Sequence, residues 1–260
     1  MKNKKLLIAI LCIFVFDLPG AANRIRQNFD FDWQFRLGEN GDFREVQLPH
    51  DWSVELDFDE KAGGASGYLP GGIGWYRKSF MIPASYKNQK VSLVFDGIYH
   101  KATIFLNGKE IAYHRYGYTS FETDLTPFLK YGESNDLKIK VDHSEISRWY
   151  TGSGIYRHVW LQVTNPVHVK MWGTYVTTPE ITESQATVKI VTTIENSMEL
   201  PTTVIVQQRL LDGDGKIVKA EEIRHASDYD DFYIASKEVT FLQIQTAERL
   251  IDLAEKYLET

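Results

Sequence analysis

Residues 24–165 alternate apolar and polar positions over short segments that turn residues separate. Val91, Leu93 and Phe95 occupy every second position of one such segment, and the aromatic residues within 29–35 do so in another. This alternation is typical of strands that bury one face. No long amphipathic helix interrupts the region. The pattern therefore predicts a mainly β fold with a two-sheet jelly-roll sandwich over 23–165.

One hairpin is predicted from its turn. Residues 103–106 run into Asn107-Gly108 and continue as a second strand over 109–113. The Asn-Gly pair suits a type I′ turn, because both central residues of that turn need a positive φ. Two further strands are expected nearby, at 120–124 and 136–142.

A second domain is expected from Pro166 to about Ala220. Its apolar, β-branched segments predict strands at 167–171, 187–191, 203–210 and 216–218. Beyond Ala220 the pattern changes, because apolar positions recur every three to four residues from Phe241 to Leu258. Together with Ser236 as a helix cap, this predicts a C-terminal α-helix within a tail over 221–260.

The first 22 residues have the pattern of a secretory signal peptide. Three lysines precede an apolar run of 11 residues, Leu6 to Phe16, and Gly20-Ala21-Ala22 offers small residues for cleavage. The run is too short for a stable membrane anchor. We therefore expect export to the periplasm or the extracellular space, with no membrane attachment after cleavage.

Composition narrows the class of protein. Of the 260 residues, 43% are hydrophobic and 13% aromatic, which indicates a globular chain. Removing residues 1–22 takes away three lysines and one aspartate, so the net charge changes from −6 to −8. Such acidity argues against binding of nucleic acid. The single cysteine, Cys12, lies in the apolar run, so a mature chain has no disulfide and no cysteine metal site.

The stretch 148–161, RWYTGSGIYRHVWL, combines a polar, glycine-containing loop with a strand. Its glycines allow a sharp turn that places Arg148, Trp149 and Tyr150 together at a rim. Arginine beside two aromatic rings can bind hydroxyl groups and stack on the apolar face of a sugar. Alternatively, Trp149 packs on the core and Arg148 pairs with a carboxylate. From Ile155 to about Thr164 the alternation predicts a half-buried strand.

This stretch resembles the RWYxGxGIYR motif of glycoside hydrolase family two, which includes β-galactosidases and β-glucuronidases. Further segments that resemble the family occur in the same order. They are Leu48-Pro49-His50-Asp51-Trp52, Gly74-Trp75-Tyr76-Arg77-Lys78, Phe95-Asp96-Gly97, Leu106-Asn107-Gly108 and Gly117-Tyr118-Thr119-Ser120-Phe121. The resemblance covers about residues 24–220.

The resemblance implies an N-terminal galactose-binding-like jelly roll followed by part of an immunoglobulin-like β-sandwich at 166–220. It implies a carbohydrate partner, a β-galactoside-like glycan. Galactose, glucuronic acid and mannose enzymes share this platform, so the sugar and the oligomeric state stay open. The expected substrate contacts are Asp51, Trp52, Arg148, Trp149 and Tyr150. No cofactor is expected and no metal ligands are assigned, since the seven histidines lack metal-ligand spacing, while bound calcium or sodium stays open.

Catalytic residues are not expected in this chain. In the resembling enzymes two glutamates lie in a (β/α)₈ barrel, and the alternating strand and helix pattern of about 250 residues that such a barrel needs is missing. Asp51 beside His50 does not replace the pair, because retaining glycosidases need two carboxyl groups about 5–5.5 Å apart. Ser153 lacks the strand-turn-helix context of a nucleophile elbow.

Between Asp57 and Gly74 six glycines occur. A loop of this composition is either mobile or approaches a ligand or a partner domain closely. It lacks the Gly-Lys-Ser/Thr ending and the following helix of a phosphate-binding loop.

The tail resembles the C-terminal end of HEPN-type helical proteins over 223–232 and the helix that follows; a coincidental amphipathic helix is the alternative. Our hypothesis is that an N-terminal glycosidase region, truncated before its barrel, is joined near residue 220 to a tail of different origin.

Two functions remain: a sugar-binding region that is inactive alone, and a structural or interaction fragment that binds no sugar. Joint exposure of Trp52, Trp149 and Tyr150 favours the first, and their burial favours the second.

Overall fold

The computed structural model describes residues 24–145, 148–182, 186–211, 215 and 217–226, and within 217–226 the backbone alone. The described chain is mainly β, as predicted, and its helical residues are confined to short 3-10 turns. It forms two compact units, one over 23–166 and one that begins at Val167.

The first unit contains two antiparallel sheets. One has six strands in the order β3-β2-β4-β9-β6-β7, and the other has four in the order β1-β10-β5-β8. The strands are β1 (Ile25–Asn28), β2 (Trp33–Leu37), β3 (Arg44–Val46), β4 (Gly72–Met81), β5 (Lys90–Phe95), β6 (Ala102–Leu106), β7 (Lys109–His114), β8 (Phe121–Asp124), β9 (Ser134–His143) and β10 (Val159–Thr164). The 3-10 turns span Trp52–Glu55, Glu60–Ala62, Gly64–Ser66, Ala84–Tyr86 and Thr126–Phe128.

The core of this unit lies between the two sheets. The six-stranded sheet contributes Trp33, Tyr76 and Ile139, and the four-stranded sheet contributes Leu93 and Val163, to one cluster of buried side chains. Alternate positions of β2, β4, β6 and β9 are buried, so the strand periodicity of the sequence accounts for the inner face of the six-stranded sheet. The predicted two-sheet sandwich is confirmed.

Most of the predicted strand positions are confirmed, and Phe31 is an exception. Val91, Leu93 and Phe95 of β5 are fully buried, as predicted, but Ser92 and Val94 between them are buried as well, so this strand is covered on both faces. Phe31 is 54% exposed, because the chain turns between β1 and β2 and Asp32 there has a φ of 58°. A turn interrupts the alternation, so Phe29 and Trp33 are buried while Phe31 is not.

The hairpin between β6 and β7 has the predicted turn. Asn107 and Gly108 have φ values of 52° and 81°, which fit a type I′ turn. The Asn107 side chain also donates to the carbonyl of Phe128 and to Oδ1 of Asn135, each at 2.9 Å. Asn107 therefore both forms the turn and ties it to the neighbouring loop.

Strand β10 ends at Thr164 as predicted but begins at Val159, four residues later than expected. Before that point the backbone is paired elsewhere. Gly154 exchanges two 2.9 Å hydrogen bonds with Tyr99, and the carbonyl of Ile155 accepts from the amide of His50 at 2.8 Å. Ile155 is still fully buried, so its burial was predicted correctly from the apolar pattern, whereas the start of the strand was not.

The second unit consists of two antiparallel hairpins. Strand β11 (Val167–Ile181) pairs with β12 (Ala186–Asn196), and β13 (Thr203–Leu211) pairs with β14 (Ile217–Ala226). Gln208 donates a 3.0 Å hydrogen bond to Thr192, and both side chains are buried. All four predicted strands are present, and they are longer than predicted.

Strand β14 continues past position 220, where the helical tail was expected to begin. Its backbone pairs with β13 as far as Ala226, so residues 221–226 are strand. The first residues of the HEPN resemblance, from Ile223, therefore belong to a hairpin. The expected helix at 236–258 and the expected signal peptide at 1–22 lie outside the described residues and stay predictions.

The glycine-rich segment is held by its own hydrogen bonds. The amide of Asp59 donates to the carbonyl of Tyr68 at 2.8 Å, which closes the loop. Gly74, at its end, lies where a Cβ atom would come 2.5 Å from the Trp52 ring and 2.8 Å from the Phe35 ring. The glycine here permits close packing of two core aromatic rings.

We predict that Gly74→Ala lowers the free energy of unfolding by about 1–3 kcal/mol, because the added methyl group forces two buried rings to move. Thermal denaturation monitored by circular dichroism measures this. Gly64→Ala is the matched control, since its Cβ would come no closer than 3.3 Å to the atoms around it, which belong to the Tyr68 side chain. An equal loss of unfolding free energy in both variants would contradict the role of Gly74 in the close packing of Trp52 and Phe35.

Candidate functional site

The loop of residues 148–154, here called the rim loop, follows β9 and runs from solvent into the core. At its start Arg148 is exposed, Trp149 is 59% exposed and Tyr150 is 40% exposed. At its end Ser153 is fully buried. The loop therefore presents three of the predicted contact residues on the surface and anchors itself through the glycine-containing end.

The Asp51 carboxylate fixes the rim loop. Its Oδ1 accepts from the backbone amides of Ser53 at 3.0 Å and Ser153 at 2.9 Å. Its Oδ2 accepts from the Tyr150 hydroxyl. One side chain thus caps the 3-10 turn that begins at Trp52 and holds the loop a hundred residues later in the sequence. Burial, then the Asp51 carboxylate, raise the pKa of Tyr150, which keeps its phenol protonated as a donor.

A buried chain of hydroxyl groups lies behind Asp51. Ser53 Oγ donates to the Pro70 carbonyl at 2.6 Å, Ser153 Oγ lies 2.5 Å from Ser53 Oγ, and His143 Nδ1 lies 2.6 Å from Ser153 Oγ. Each hydroxyl has one hydrogen to donate. Ser53 uses its hydrogen on Pro70, so Ser153 donates to Ser53, and His143 must donate from Nδ1. All three bonds are satisfied when the imidazole is neutral with its proton on Nδ1.

The electrostatic environment of His143 supports this neutral state. Burial, and secondarily the nearby His100, lower the pKa of His143 to about 4. At neutral pH the imidazole therefore carries no charge. Ser153 is buried and its hydroxyl is used in the chain, so it supports the loop and is not placed as a nucleophile.

The partner of the rim loop in the core is Tyr76. Its hydroxyl lies 2.7 Å from His50 Nδ1 and accepts from the amide of Ile155 at 3.4 Å. A Cβ atom on Gly154 would come 2.2 Å from this hydroxyl, and Gly154 has a φ of +111°. Glycine is therefore required at 154, both for its backbone conformation and for the approach of Tyr76.

Trp52 does not belong to the exposed group. It is 1% exposed, stacks on Phe35 with ring centroids 5.5 Å apart, and donates its indole N–H to the carbonyl of Gly71 at 3.2 Å. The prediction of Trp52 as a direct contact is therefore corrected, because the apolar ring is buried in the sandwich. Arg148, Trp149 and Tyr150 do lie together, and Asp51 supports them from below.

Two tyrosines that the sequence analysis did not select lie beside the rim loop. Trp149 donates its indole N–H to the Tyr118 hydroxyl at 2.9 Å. The Tyr116 and Tyr118 rings meet edge to face at 5.7 Å, and they are 60% and 40% exposed. The signal in the sequence was the segment from Gly117 to Phe121, which was used for the resemblance but not as a source of contacts.

A cleft of the first unit is lined by residues outside the rim loop. A cleft of about 650 Å³ is lined by strand residues that include Gln34, Glu45 and Arg77. In the part of the chain that the structure describes, no group of three His, Cys, Asp or Glu side chains is arranged to hold a metal ion. The same residues include no helix with the length and hydropathy of a membrane span.

Comparison with known proteins assigns the region that contains this surface. Residues 67–166 match the family described as glycosyl hydrolases family 2, sugar binding domain. The chain contains the N-terminal sugar-binding region of that family. The match includes the rim loop, Tyr76 and Tyr118, and Asp51 lies just before it.

Individual glycosidases are similar over most of this chain. A β-galactosidase of Bacteroides ovatus, BoGH2A, is 41% identical over 253 residues, which cover 91% of this chain and 29% of that protein. A β-glucuronidase of Formosa agariphila is 28% identical over 233 residues, covering 76% of this chain and 24% of that protein. The crystal structure of a glycosyl hydrolase family 2 member from Bacteroides cellulosilyticus has a TM-score of 0.72 and 36% identity, covering 81% of this chain and 30% of that one.

These matches have two consequences. The chain spans less than a third of the length of each of these three proteins. In addition, a match over 91% of the chain is longer than the segment 24–220 on which the resemblance was based. The similarity therefore extends into the tail that was expected to have a different origin, and no comparison supports the HEPN resemblance.

We predict that Asp51→Ala lowers the free energy of unfolding by roughly 2 kcal/mol or more, because two buried amide hydrogens lose a charged acceptor. Urea denaturation measures this. Asp59→Ala is the matched control, because Asp59 caps an exposed turn by accepting from the Lys61 amide at 2.9 Å. This variant is expected to lose only about 0.5–1 kcal/mol of unfolding free energy. Equal losses would show that Asp51 does not hold the rim loop.

We also predict a pH dependence from His143. The unfolded imidazole, with an ordinary pKa near 6.5, binds a proton at a higher pH than the folded one, with its pKa of about 4. Neutral His143 therefore contributes fully to the free energy of unfolding above pH 6.5. This contribution, on the order of a few kcal/mol, is lost as the pH falls toward 4.

Urea denaturation between pH 4 and 7 measures this pH dependence. The comparison is with His143→Asn, whose amide keeps a donor near Nδ1 but does not titrate. His50, His100 and His114 also have lowered pKa values from burial and remain in both proteins. The His143→Asn variant is therefore expected to show the shallower slope; identical slopes would contradict the neutral His143.

Proposed function

We propose that the rim loop contacts carbohydrate, a β-galactoside-like glycan, as part of a β-galactosidase-like enzyme. The observation that carries this proposal is the joint exposure of Arg148, Trp149 and Tyr150 on a loop that Asp51 fixes, within a family 2 sugar-binding region. The β-galactosidase of B. ovatus, at 41% identity, favours a galactoside over a glucuronide.

The chemistry of the three side chains suits a pyranose ring. The exposed indole of Trp149 offers a flat surface for the apolar C–H face of the sugar. The Arg148 guanidinium offers several N–H donors for hydroxyl groups at the sugar's edge. Tyr150 adds a second ring that is held in place through its bond to Asp51. Because the loop is fixed before a sugar arrives, little ordering is needed on binding.

We propose that the described residues bind sugar and do not hydrolyse it. A retaining mechanism needs two carboxyl groups about 5–5.5 Å apart across the sugar, and an inverting mechanism needs a wider pair. At the rim, the carboxyl group with contacts to the loop is that of Asp51, and both its oxygens accept hydrogen bonds from the fold. Catalysis in a complete enzyme is therefore assigned to carboxylates beyond the described residues.

A second candidate function is a scaffold that binds no sugar. The observation that favours it is the burial of Trp52, together with the use of Asp51 as a structural acceptor. In this alternative the rim aromatic residues are covered by another domain of the enzyme.

Export is proposed on the residue pattern of 1–22, with its lysines, apolar run and small residues. A carbohydrate-binding role agrees with a periplasmic or extracellular location. N-terminal sequencing of the chain from the cell fraction that contains it tests export with cleavage of residues 1–22. A retained Met1 would contradict this proposal.

We predict that methyl β-galactoside binds this chain and that Trp149→Ala weakens binding about tenfold, as expected for the loss of a stacked ring. Isothermal titration calorimetry measures the dissociation constant. Trp172→Ala is the matched control, because Trp172 is 60% exposed in the second unit and Trp149 is 59% exposed. Binding that both variants retain equally would contradict a sugar contact at Trp149, and no binding by the unaltered chain would favour the scaffold.

A further inference from the structure

We propose that Tyr116, Tyr118 and Trp149 form a second sugar subsite, here called the aromatic platform, which binds the next sugar unit of an oligosaccharide. The proposal rests on the proposed function, because the first unit is taken to lie on the rim loop. It assigns a ligand role to two tyrosines of the loop between β7 and β8.

The three rings form one continuous surface. Trp149 is joined to Tyr118 by the 2.9 Å bond from its indole N–H to the phenol oxygen, and Tyr118 meets Tyr116 edge to face at 5.7 Å. Each is at least 40% exposed. Trp149 belongs to the rim loop, so the platform adjoins the surface proposed for the first sugar unit.

The backbone that carries the two tyrosines is fixed. Gly117, between them, is buried, and a Cβ atom there would come 2.2 Å from the Tyr99 ring. On its other side the carbonyl of Gly117 accepts from the Tyr156 hydroxyl at 2.9 Å. Because Gly117 is held between Tyr99 and Tyr156, the side chains of Tyr116 and Tyr118 are directed outward. A pre-organised aromatic surface binds with a smaller loss of conformational entropy.

The mixture of apolar faces and polar edges favours a sugar as the ligand. Exposed aromatic rings that carry hydroxyl or N–H groups can stack on the apolar face of a pyranose and bond to its hydroxyls. Arg115 and Thr119, which flank the tyrosines, are exposed and add polar groups at the border.

The test compares a monosaccharide with an oligosaccharide on the full chain. Calorimetric titrations use methyl β-galactoside and β-1,4-galactotriose. The unaltered chain is expected to bind the trisaccharide at least about tenfold more tightly than the monosaccharide, because stacking on the platform adds to the rim contact. Tyr116→Ala is expected to remove most of that gain and to leave monosaccharide binding unchanged.

Two controls separate stacking from other effects. Tyr116→Phe keeps the ring and is expected to retain most of the gain. Tyr175→Ala removes a tyrosine that is 67% exposed in the second unit and is expected to change neither titration. Circular dichroism of each variant establishes that the fold is kept.

The outcomes distinguish this inference from the proposed function. Equal affinities for the two sugars in the unaltered chain, or a gain that Tyr116→Ala retains, would overturn the platform while the rim contact stands. Absence of binding to either sugar would overturn both. A concentration-dependent dimer that Tyr116→Ala abolishes, with sugar binding unchanged, would assign the surface to a second copy and would also overturn the platform.

Discussion

The candidate site depends on one carboxylate, that of Asp51. Its Oδ1 joins the amides of Ser53 and Ser153, and its Oδ2 holds Tyr150. Hydrogen bonds to a charged acceptor are about twice as strong as neutral ones, and they have a defined direction. Because one end of the rim loop is tied in this way, Arg148 and Trp149 can be exposed without the loop losing its position.

The residues of the candidate site divide into a buried support and an exposed surface. The support is buried and polar: Ser53, Ser153 and His143 form a chain in which every hydrogen has an acceptor. Buried polar groups that are fully paired specify a single geometry, whereas an unpaired one would be costly. The surface is aromatic, and its rings are exposed because the bonds that fix the loop lie below them.

Much of the fold could be predicted from sequence because strand alternation and turn chemistry are local. The buried positions of β5 and the turn at Asn107-Gly108 follow directly from them. The site could be predicted only in part. Grouping Arg148 with its two aromatic neighbours needed only their adjacency, but the burial of Trp52 depends on Gly74 and Phe35, which pack against it from other strands. Tyr118 was missed for the same reason, since its bond to Trp149 joins positions 31 residues apart.

The most direct test of the account is the behaviour of the tryptophan indole N–H signals in a ¹⁵N NMR titration of the chain with methyl β-galactoside. The six tryptophans give separate probes of core and surface, and a Trp149→Phe variant assigns the rim signal. The account predicts a saturable shift of the Trp149 signal, while those of the buried Trp33 and Trp52 stay in place. No shift of Trp149 at saturating sugar, or equal shifts of the core signals, would contradict a sugar site at the rim loop.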